Sequence, residues 1–359
     1  MKETKFKNTE IGMIPEEWEV KKLGTFFDIG NGRDYKHLNT GKIPVYGTGG
    51  LMTYVNEYLY DGETVCIGRK GTINMPQYHN GKIWTVDTLF YTYNFRKTDV
   101  KFLYYLAQII DWNAYNTATG VPSLTSRNVS NILVSLPPLH EQHRIASALT
   151  SIDNLISSLG KLIEKKKNIK QGAMQQLLTG RTRLKGFSEP WVEKKLGELF
   201  EIGNGKDYKN LKSGPIPVFG TGGLMTYVNE YLYDGETICI GRKGTIDKPQ
   251  YHKGKIWTVD TLFYTYRFKD INVKYLYYLS ATINWNEYNT ATGVPSLTSQ
   301  NILKIKVVLP LEEEQQAIAT ILTKMDDEIT ALEAKKVKYE AIKQGMMQQL
   351  LTGKIRLVS

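Results

Sequence analysis

Two hydrophobic periods organise this chain. Residues 88–95, TLFYTYNF, alternate at every second position and place Leu89, Tyr91, Tyr93 and Phe95 on one face, which predicts a strand. Residues 64–68, TVCIG, read as a short buried strand ending at a glycine. Residues 100–112, VKFLYYLAQIIDW, bring Leu103, Leu106, Ala107 and Ile110 onto one stripe, the pattern of an amphipathic helix. Over residues 137–180 the period changes to steps of four and three, at Ile145, Leu149, Ile152, Ile156, Leu159 and Ile163, which is a heptad seam. Pro137 opens that segment, Glu141 sits where a carboxylate favours the helix dipole, and Gly180 is placed to cap the far end. The seam weakens at Lys166 and Lys170 and resumes at Ala173 and Leu177. Short strands and helices to about residue 136, followed by one long helix, predict an α+β domain with a helical extension.

Each of these features occurs twice. GTGGLMTYVNEYLYDGET at residues 47–64 recurs letter for letter at residues 220–237, an offset of 173. The same offset pairs Trp18 with Trp191, Cys66 with Cys239, Trp84 with Trp257, Trp112 with Trp285, Pro137 with Pro310 and Gly180 with Gly353. The second seam reads Ile318, Leu322, Met325, Ile329 and Leu332, weakens at Lys336, Tyr339 and Lys343, and resumes at Met346 and Leu350. A period this long is not that of a solenoid, and each copy is long enough for its own core. The expected division is a mixed domain at residues 1–136, a helix at 137–180, a second mixed domain at 181–309, a second helix at 310–353 and a tail at 354–359.

A helix of about 40 residues is about 60 Å long and cannot hide such a stripe by itself. Each helix could pack on its own domain, or the two could pack on each other. The stronger expectation is an antiparallel coiled coil. It sets the two globular domains at opposite ends of one rod, related by an approximate two-fold axis. The TGKIRL of residues 352–357 matches TGRTRL at 179–184, which returns the second helix to the first domain.

Composition changes this picture little. Charged residues make up 23% and hydrophobic residues 41%, ordinary for folded domains. No apolar run approaches the roughly 20 residues of a membrane helix, and residues 1–15 are polar and lack the apolar core of a signal peptide. Two cysteines at equivalent positions suggest neither a disulfide framework nor a zinc site. A cytoplasmic protein is expected, and the net charge of +10 favours an anionic partner.

Two globular halves, each followed by a long helix opening LPPLHEQHRIA (residues 136–146) or LPLEEEQQAIA (309–319), resemble the specificity subunit of type I restriction-modification enzymes. IGMIPEEWEVKKLG (11–24), IGRKGTI (67–73) and the two MQQLLTG endings carry the same resemblance, which spans nearly the full length. It implies two target recognition domains, each reading one half of a split site in double-stranded DNA. It also implies spacer helices that dock two methyltransferase subunits, with nuclease-translocase subunits joining for restriction, and no cofactor or catalysis in the chain itself.

Candidate DNA contacts follow from residue chemistry. GRKG at residues 68–71 and 241–244 sets Arg69, Lys70, Arg242 and Lys243 on a tight turn after a strand, where flanking glycines let the backbone approach a phosphate. A solvated hairpin tip is the plain alternative. GNGRDYK (30–36) and GNGKDYK (203–209) supply Asn31, Arg33, Lys36, Asn204, Lys206 and Lys209, again as DNA loops or ordinary turns. These loops are faintly similar to the S-adenosylmethionine loop of methyltransferases, but no NPPY- or DPPY-like tetrapeptide follows. Tyr46, replaced by Phe219 in the second copy, suits base stacking or core packing, with core packing slightly favoured. The hydroxyl-rich stretches at 116–128 and 289–301 offer Thr119, Ser123, Thr292 and Ser296 to phosphate or bases, or serve as linkers held by local hydrogen bonds.

Catalytic chemistry is sparse. His79 and His252 are the one histidine pair that survives the offset, expected as surface loop residues, while His140 and His143 become Glu313 and Gln316. No Walker motif or nuclease-like carboxylate cluster is evident. Two near-identical readers imply a split site that is palindromic or nearly so, although the halves of most family members are dissimilar. The rival classes are a coiled-coil scaffold, a stand-alone DNA-binding protein without a methyltransferase partner, and a stand-alone methyltransferase or nuclease.

Overall fold

The computed structural model describes residues 5–358. The chain divides into two units: unit 1 is Met1–Gly160 with Ala334–Ser359, and unit 2 is Lys161–Glu333. Unit 1 begins with β1 (Phe6–Thr9), β2 (Gly12–Pro15), β3 (Glu19–Lys22) and β4 (Asp28–Asn31). There follow β5 (Thr40–Gly47), β6 (Gly50–Val55), β7 (Tyr60–Gly68), β8 (Gln77–Thr85) and β9 (Leu89–Tyr93). Then come α1 (Val100–Ile109), α2 (Ser126–Asn131), β10 (Leu133–Leu136) and the long α3 (Leu139–Leu177), which continues into unit 2. Unit 2 repeats the series as β11 (Val192–Lys195), α4 (Leu196–Leu199), β12 (Glu201–Asn204), β13 (Ile216–Gly220), β14 (Gly223–Val228), β15 (Tyr233–Gly241), β16 (Gln250–Thr258) and β17 (Leu262–Tyr266). It closes with α5 (Val273–Ser280), α6 (Ser299–Lys304), β18 (Lys306–Leu309) and the long α7 (Glu312–Leu350), whose last turns belong to unit 1.

Each unit holds a six-stranded mixed sheet, in the order β4-β9-β7-β8-β5-β6 in unit 1 and β12-β17-β15-β16-β13-β14 in unit 2. Every pairing is antiparallel except β5 with β8 and β13 with β16. Strand β7 is buried from Thr64 to Gly68 because both faces of the sheet are covered. One face carries the main core with α1, and the other carries a smaller cluster of Cys66, Ile83 and Leu89. This corrects the single-faced reading of residues 88–95. Leu89 and Tyr91 face the smaller cluster, whereas Phe90 and Phe95 enter the main core. Asn94, at φ 53°, ends the strand and redirects Phe95. Helix α1 is likewise buried more broadly than its expected stripe: Phe102 and Tyr105 are buried with Leu103, Leu106 and Ala107, and Ile110 lies just past its end.

The helix-start motif has a physical role in each unit. In unit 1, Glu141 is fully buried and accepts two hydrogen bonds from Arg356, Nε to Oε1 at 2.6 Å and Nη2 to Oε2 at 2.7 Å. Trp18 Nε1 donates to the same carboxylate at 3.1 Å. The neighbouring Gln142 accepts from the Asp99 amide at 3.0 Å and donates to Pro137 O at 2.9 Å, while Asp99 caps α1 through the Phe102 amide at 2.7 Å. Unit 2 repeats the arrangement, with Arg183 Nε to Glu314 at 2.8 Å, Trp191 Nε1 to Glu314 at 3.3 Å and Gln315 accepting from the Asn272 amide at 2.8 Å. Glu141 and Glu314 therefore do more than complement a helix dipole. They tie the segment that follows one long helix to the first turn of the other.

Helix pairing within each unit is antiparallel. In unit 1, Asp153 of α3 meets Lys343 of α7 at 2.7 Å, and Met347, Leu350 and Leu351 enter the core that also takes Ile145, Ala146 and Leu149. In unit 2, Lys166 pairs with Glu328 at 2.6 Å, Lys170 with Asp326, and Leu177 and Leu178 share a core with Ile318, Ala319 and Leu322. Both expected packings thus occur. The first turns of each long helix sit on their own domain, and the final turns of the other helix join them there. Of the lysines that interrupt the seam, Lys166, Lys170 and Lys343 are ion-paired across it, whereas Lys336 pairs with Glu340 along its own helix at 3.6 Å. Lys343 and Lys170 also lie 5.5 Å and 5.3 Å from the rings of Tyr105 and Tyr278.

The Arg356 side chain is 8% exposed and that of Glu141 is fully buried. Replacing Arg356→Ala leaves a carboxylate buried without its counter-ion, which costs roughly 3–5 kcal/mol. Unit 1 should then unfold at lower temperature or denaturant than unit 2, and Arg183→Ala should invert that order. Intrinsic tryptophan fluorescence together with calorimetry reads the difference.

Candidate nucleic-acid interface

The candidate loops of unit 1 meet at one place, the turn joining β8 to β9. Gly32 N–H donates to Leu89 O at 3.1 Å and Arg33 N–H to Thr85 O at 2.8 Å, so the loop after β4 lies flat against residues 85–89. A Cβ at Gly32 would stand 2.0 Å from Val86 O, which is why this loop needs glycine there. The GRKG turn reaches the same place from the other side, Arg69 N–H donating to Thr88 O at 2.8 Å. The guanidinium of Arg69 donates to Asp87 O at 3.2 Å and lies 5.8 Å from the Phe90 ring. Asn31, Arg33, Lys36, Arg69 and Lys70 are all exposed.

GRKG is not a free hairpin tip. Lys70 forms an antiparallel bridge with Ser123, Gly71 N–H donates to Pro122 O at 2.9 Å, and Leu124 N–H to Arg69 O at 2.8 Å. The hydroxyl-rich stretch is held by its own side chains as well: Asn116 Oδ1 accepts from the Ala118 amide at 3.1 Å and the Ser123 amide at 2.8 Å. Thr119 is exposed on this loop, and Ser123 is half-buried. In unit 2 the same bonds recur. Arg242 N–H donates to Thr261 O at 2.8 Å, Lys243 bridges Ser296, and Lys206 N–H donates to Thr258 O at 2.8 Å. Asn204, Lys206, Lys209 and Thr292 are exposed and Ser296 is half-buried.

Tyr46 joins the same turn through its backbone, its carbonyl oxygen accepting from the Val86 N–H at 3.0 Å, while its ring packs with the cluster of Cys66, Ile83 and Leu89. It is half-buried in β5, and its ring stacks on His79 at 3.8 Å with 27° between planes. Phe219 and His252 stack in the same way at 3.8 Å, so the pair does not require the hydroxyl. His79 belongs to strand β8 rather than to a surface loop, which corrects the sequence expectation. Burial on the Tyr46 ring pushes its pKa down from the ordinary 6.5 to about 4. Burial also pushes the Cys66 thiol up to about 12.

The structure adds residues that pattern reading passed over. A cleft of about 710 Å³ opens beside Lys36 and is lined by Thr48, Leu51, Met52, Asp87 and Thr88. The signal for them was the VDT tripeptide, which stands unchanged at residues 86–88 and 259–261, and the letter-perfect hairpin beside it. Among the described residues no group of three or more His, Cys, Asp or Glu side chains could hold a metal ion. Among them, too, no helix is long and apolar enough to cross a membrane.

Two matched α+β domains, each bearing a cationic loop cluster and each followed by a long helix, define a class of paired-domain protein. The sequence model for the type I restriction modification DNA specificity domain matches residues 15–171 and 188–342, and the chain belongs to that family. It is 26% identical to the type I restriction enzyme MjaVIII specificity subunit of Methanocaldococcus jannaschii, over 99% of this chain and 97% of that one. It is 28% identical to the putative MjaX specificity subunit of the same organism, over 99% and 98%. The fold is similar to the crystal structure of the S subunit of a type I restriction-modification system from M. genitalium, with a TM-score of 0.69 and 18% identity over 93% of this chain and 96% of that one.

The two stacked histidines make acid stability predictable. Their pKa near 4 in the folded chain, against 6.5 when unfolded, means the unfolded state binds more protons between those values. Stability should therefore fall as pH drops from about 6.5 to 4, and the double substitution His79→Gln/His252→Gln should flatten that slope in thermal melts.

Proposed function

We propose that this specificity subunit reads a bipartite duplex DNA site through its two domains, at residues 1–136 and 181–309, and docks two methyltransferase subunits along the helices at 137–180 and 310–353. The observation that supports this most is the convergence, in both units, of exposed cations on one turn. Arg69 and Lys70 approach from one side and Arg33 and Lys36 from the other, with Arg242, Lys243, Lys206 and Lys209 repeating the set. A cluster of that kind neutralises phosphates, and the side chains in the cleft between the loops are placed to read base edges.

The half-sites are the same sequence or nearly so. The reading loops differ at few positions, among them Arg33 against Lys206, His37 against Asn210 and Asn74 against Asp247. The near-identity of the two copies supports a split site that is palindromic or nearly palindromic. Tyr46 acts by supporting β5 rather than by stacking on a base, since its ring is already covered by His79. A scaffold role without DNA binding is the rival reading, and it leaves the exposed cation clusters without a purpose.

Sequencing the methylome of a host with and without this gene tests the assignment. The expected result is a split motif with matching arms that loses its methylation when the gene is deleted. Two unrelated arms, or no gene-dependent motif, would overturn it. Duplex binding supplies a second check: Lys70→Ala and Lys243→Ala should each reduce the slope of log affinity against log salt by about 0.9 if each cation contacts one phosphate. An unchanged slope removes both from the phosphate contacts.

A further inference from the structure

Resting on the DNA-reading assignment, we propose that the hairpin tip at residues 47–52, with its counterpart at 220–225, is an apolar wedge that enters the base stack of duplex DNA. Strand β6 is the outermost strand of its sheet and carries no charged residue. Soluble proteins usually protect such edges with charge, proline or a covering segment. Here Leu51 is 53% exposed, Met52 54% and Tyr54 48%, and in unit 2 Leu224 is 52%, Met225 54% and Tyr227 50%. The exposure is the same in both units, so it is built into the domain.

The glycines at the tip separate what the fold needs from what a ligand needs. Gly50 has φ +106° and must be glycine to turn the chain. Gly49 has no such requirement: its φ is not left-handed, and a Cβ there would meet nothing within 4 Å. The same holds for Gly222. A side chain at this position would be tolerated by the protein, so its absence serves to keep the tip slender. Slenderness is what insertion between bases demands, and leucine and methionine are among the residues that proteins use as wedges.

The tip is also held in place and correctly surrounded. Gln77 Nε2, from β8, donates to Gly47 O at 2.8 Å and braces the root of the hairpin, as Gln250 does to Gly220 O at 2.9 Å. Thr48 Oγ1 lies 3.7 Å from where a Gly71 Cβ would stand, so the hairpin turn runs beside the GRKG turn. Leu51 and Met52 share a cleft with Asp34, Lys36 and Asp87. The exposed cations Lys36, Arg69 and Lys70 around this hairpin favour DNA as the occupant over a second copy of this chain.

The test uses the full-length chain alone, with duplexes carrying the methylated motif and 2-aminopurine moved one step at a time through each arm. Insertion should raise the fluorescence several-fold at one step per arm. The variant Leu51→Ala/Met52→Ala/Leu224→Ala/Met225→Ala removes no charge, so it should lose that rise and bind more weakly with an unchanged salt slope. Its melting temperature confirms that the domains stay folded. A rise that persists in the variant, or silence at every step while the wild type protects both arms in a footprint, overturns the wedge and leaves the DNA-reading assignment standing. If the wild type shows no preference for the motif over random duplex, the assignment itself fails and the wedge with it. If the variant changes self-association and leaves the fluorescence untouched, the hairpin is a contact between chains and the wedge is wrong.

Discussion

A buried carboxylate at the first turn of each long helix holds the rest of its own unit in register. Glu141 receives both arms of the Arg356 fork and the indole of Trp18; Glu314 receives Arg183 and Trp191. Removing a charge from water is expensive, and such a pair persists only when geometry and additional hydrogen bonds offset the desolvation. That requirement is demanding, so few alternative packings satisfy it. With Arg356 on Glu141, Leu350 and Leu351 enter the core beside Ile145 and Leu149, and the end of α7 runs antiparallel to the start of α3. The adjacent glutamine carries the constraint onward to the cap of α1 and so to the helix that covers the sheet.

Polar layers inside the helix pair work alongside this anchor. Tyr105 donates to Asp153 at 2.7 Å, and Asp153 pairs with Lys343; Tyr278, Asp326 and Lys170 do the same in unit 2. Lysine at a seam position lowers the apolar burial available there, yet it confines pairing to alignments in which an acid faces it. The aromatic hydroxyl extends each layer into the reader domain. Rigid attachment of that kind is what precise loop placement needs, because a reading surface is only as well positioned as the element beneath it.

The sequence disclosed the large-scale plan because its signals are periodic. Six apolar positions from Ile145 to Ile163 lie in one register, and the offset of 173 is unbroken across both copies. The long helices run Leu139–Leu177 and Glu312–Leu350, each beginning just after the proline read as its start. What stayed hidden depends on pairing between distant strands. The Tyr46–His79 stack joins residues of two strands far apart in sequence, and the β5–β8 register sets Tyr46 opposite Thr85 rather than His79, so no local pattern announces it. The gathering of loops at residues 85–89 likewise rests on backbone hydrogen bonds, which side-chain types do not announce. Burial on both faces of β9 was missed because Tyr91 and Tyr93 imitate the alternation of a half-exposed strand.

Unit 1 is assembled from two stretches of chain, whereas unit 2 is a single stretch. On a ribosome that difference becomes an order of events. Residues 161–333 are complete when translation passes position 333, but the domain made first still lacks Met347, Leu350, Leu351 and Arg356. At about 5–20 residues per second, it waits a second or more with Trp18 uncovered and Glu141 without its counter-ion. The older half of the molecule is therefore the younger fold, and a stop codon just before position 356 would strike the domain furthest from it in sequence.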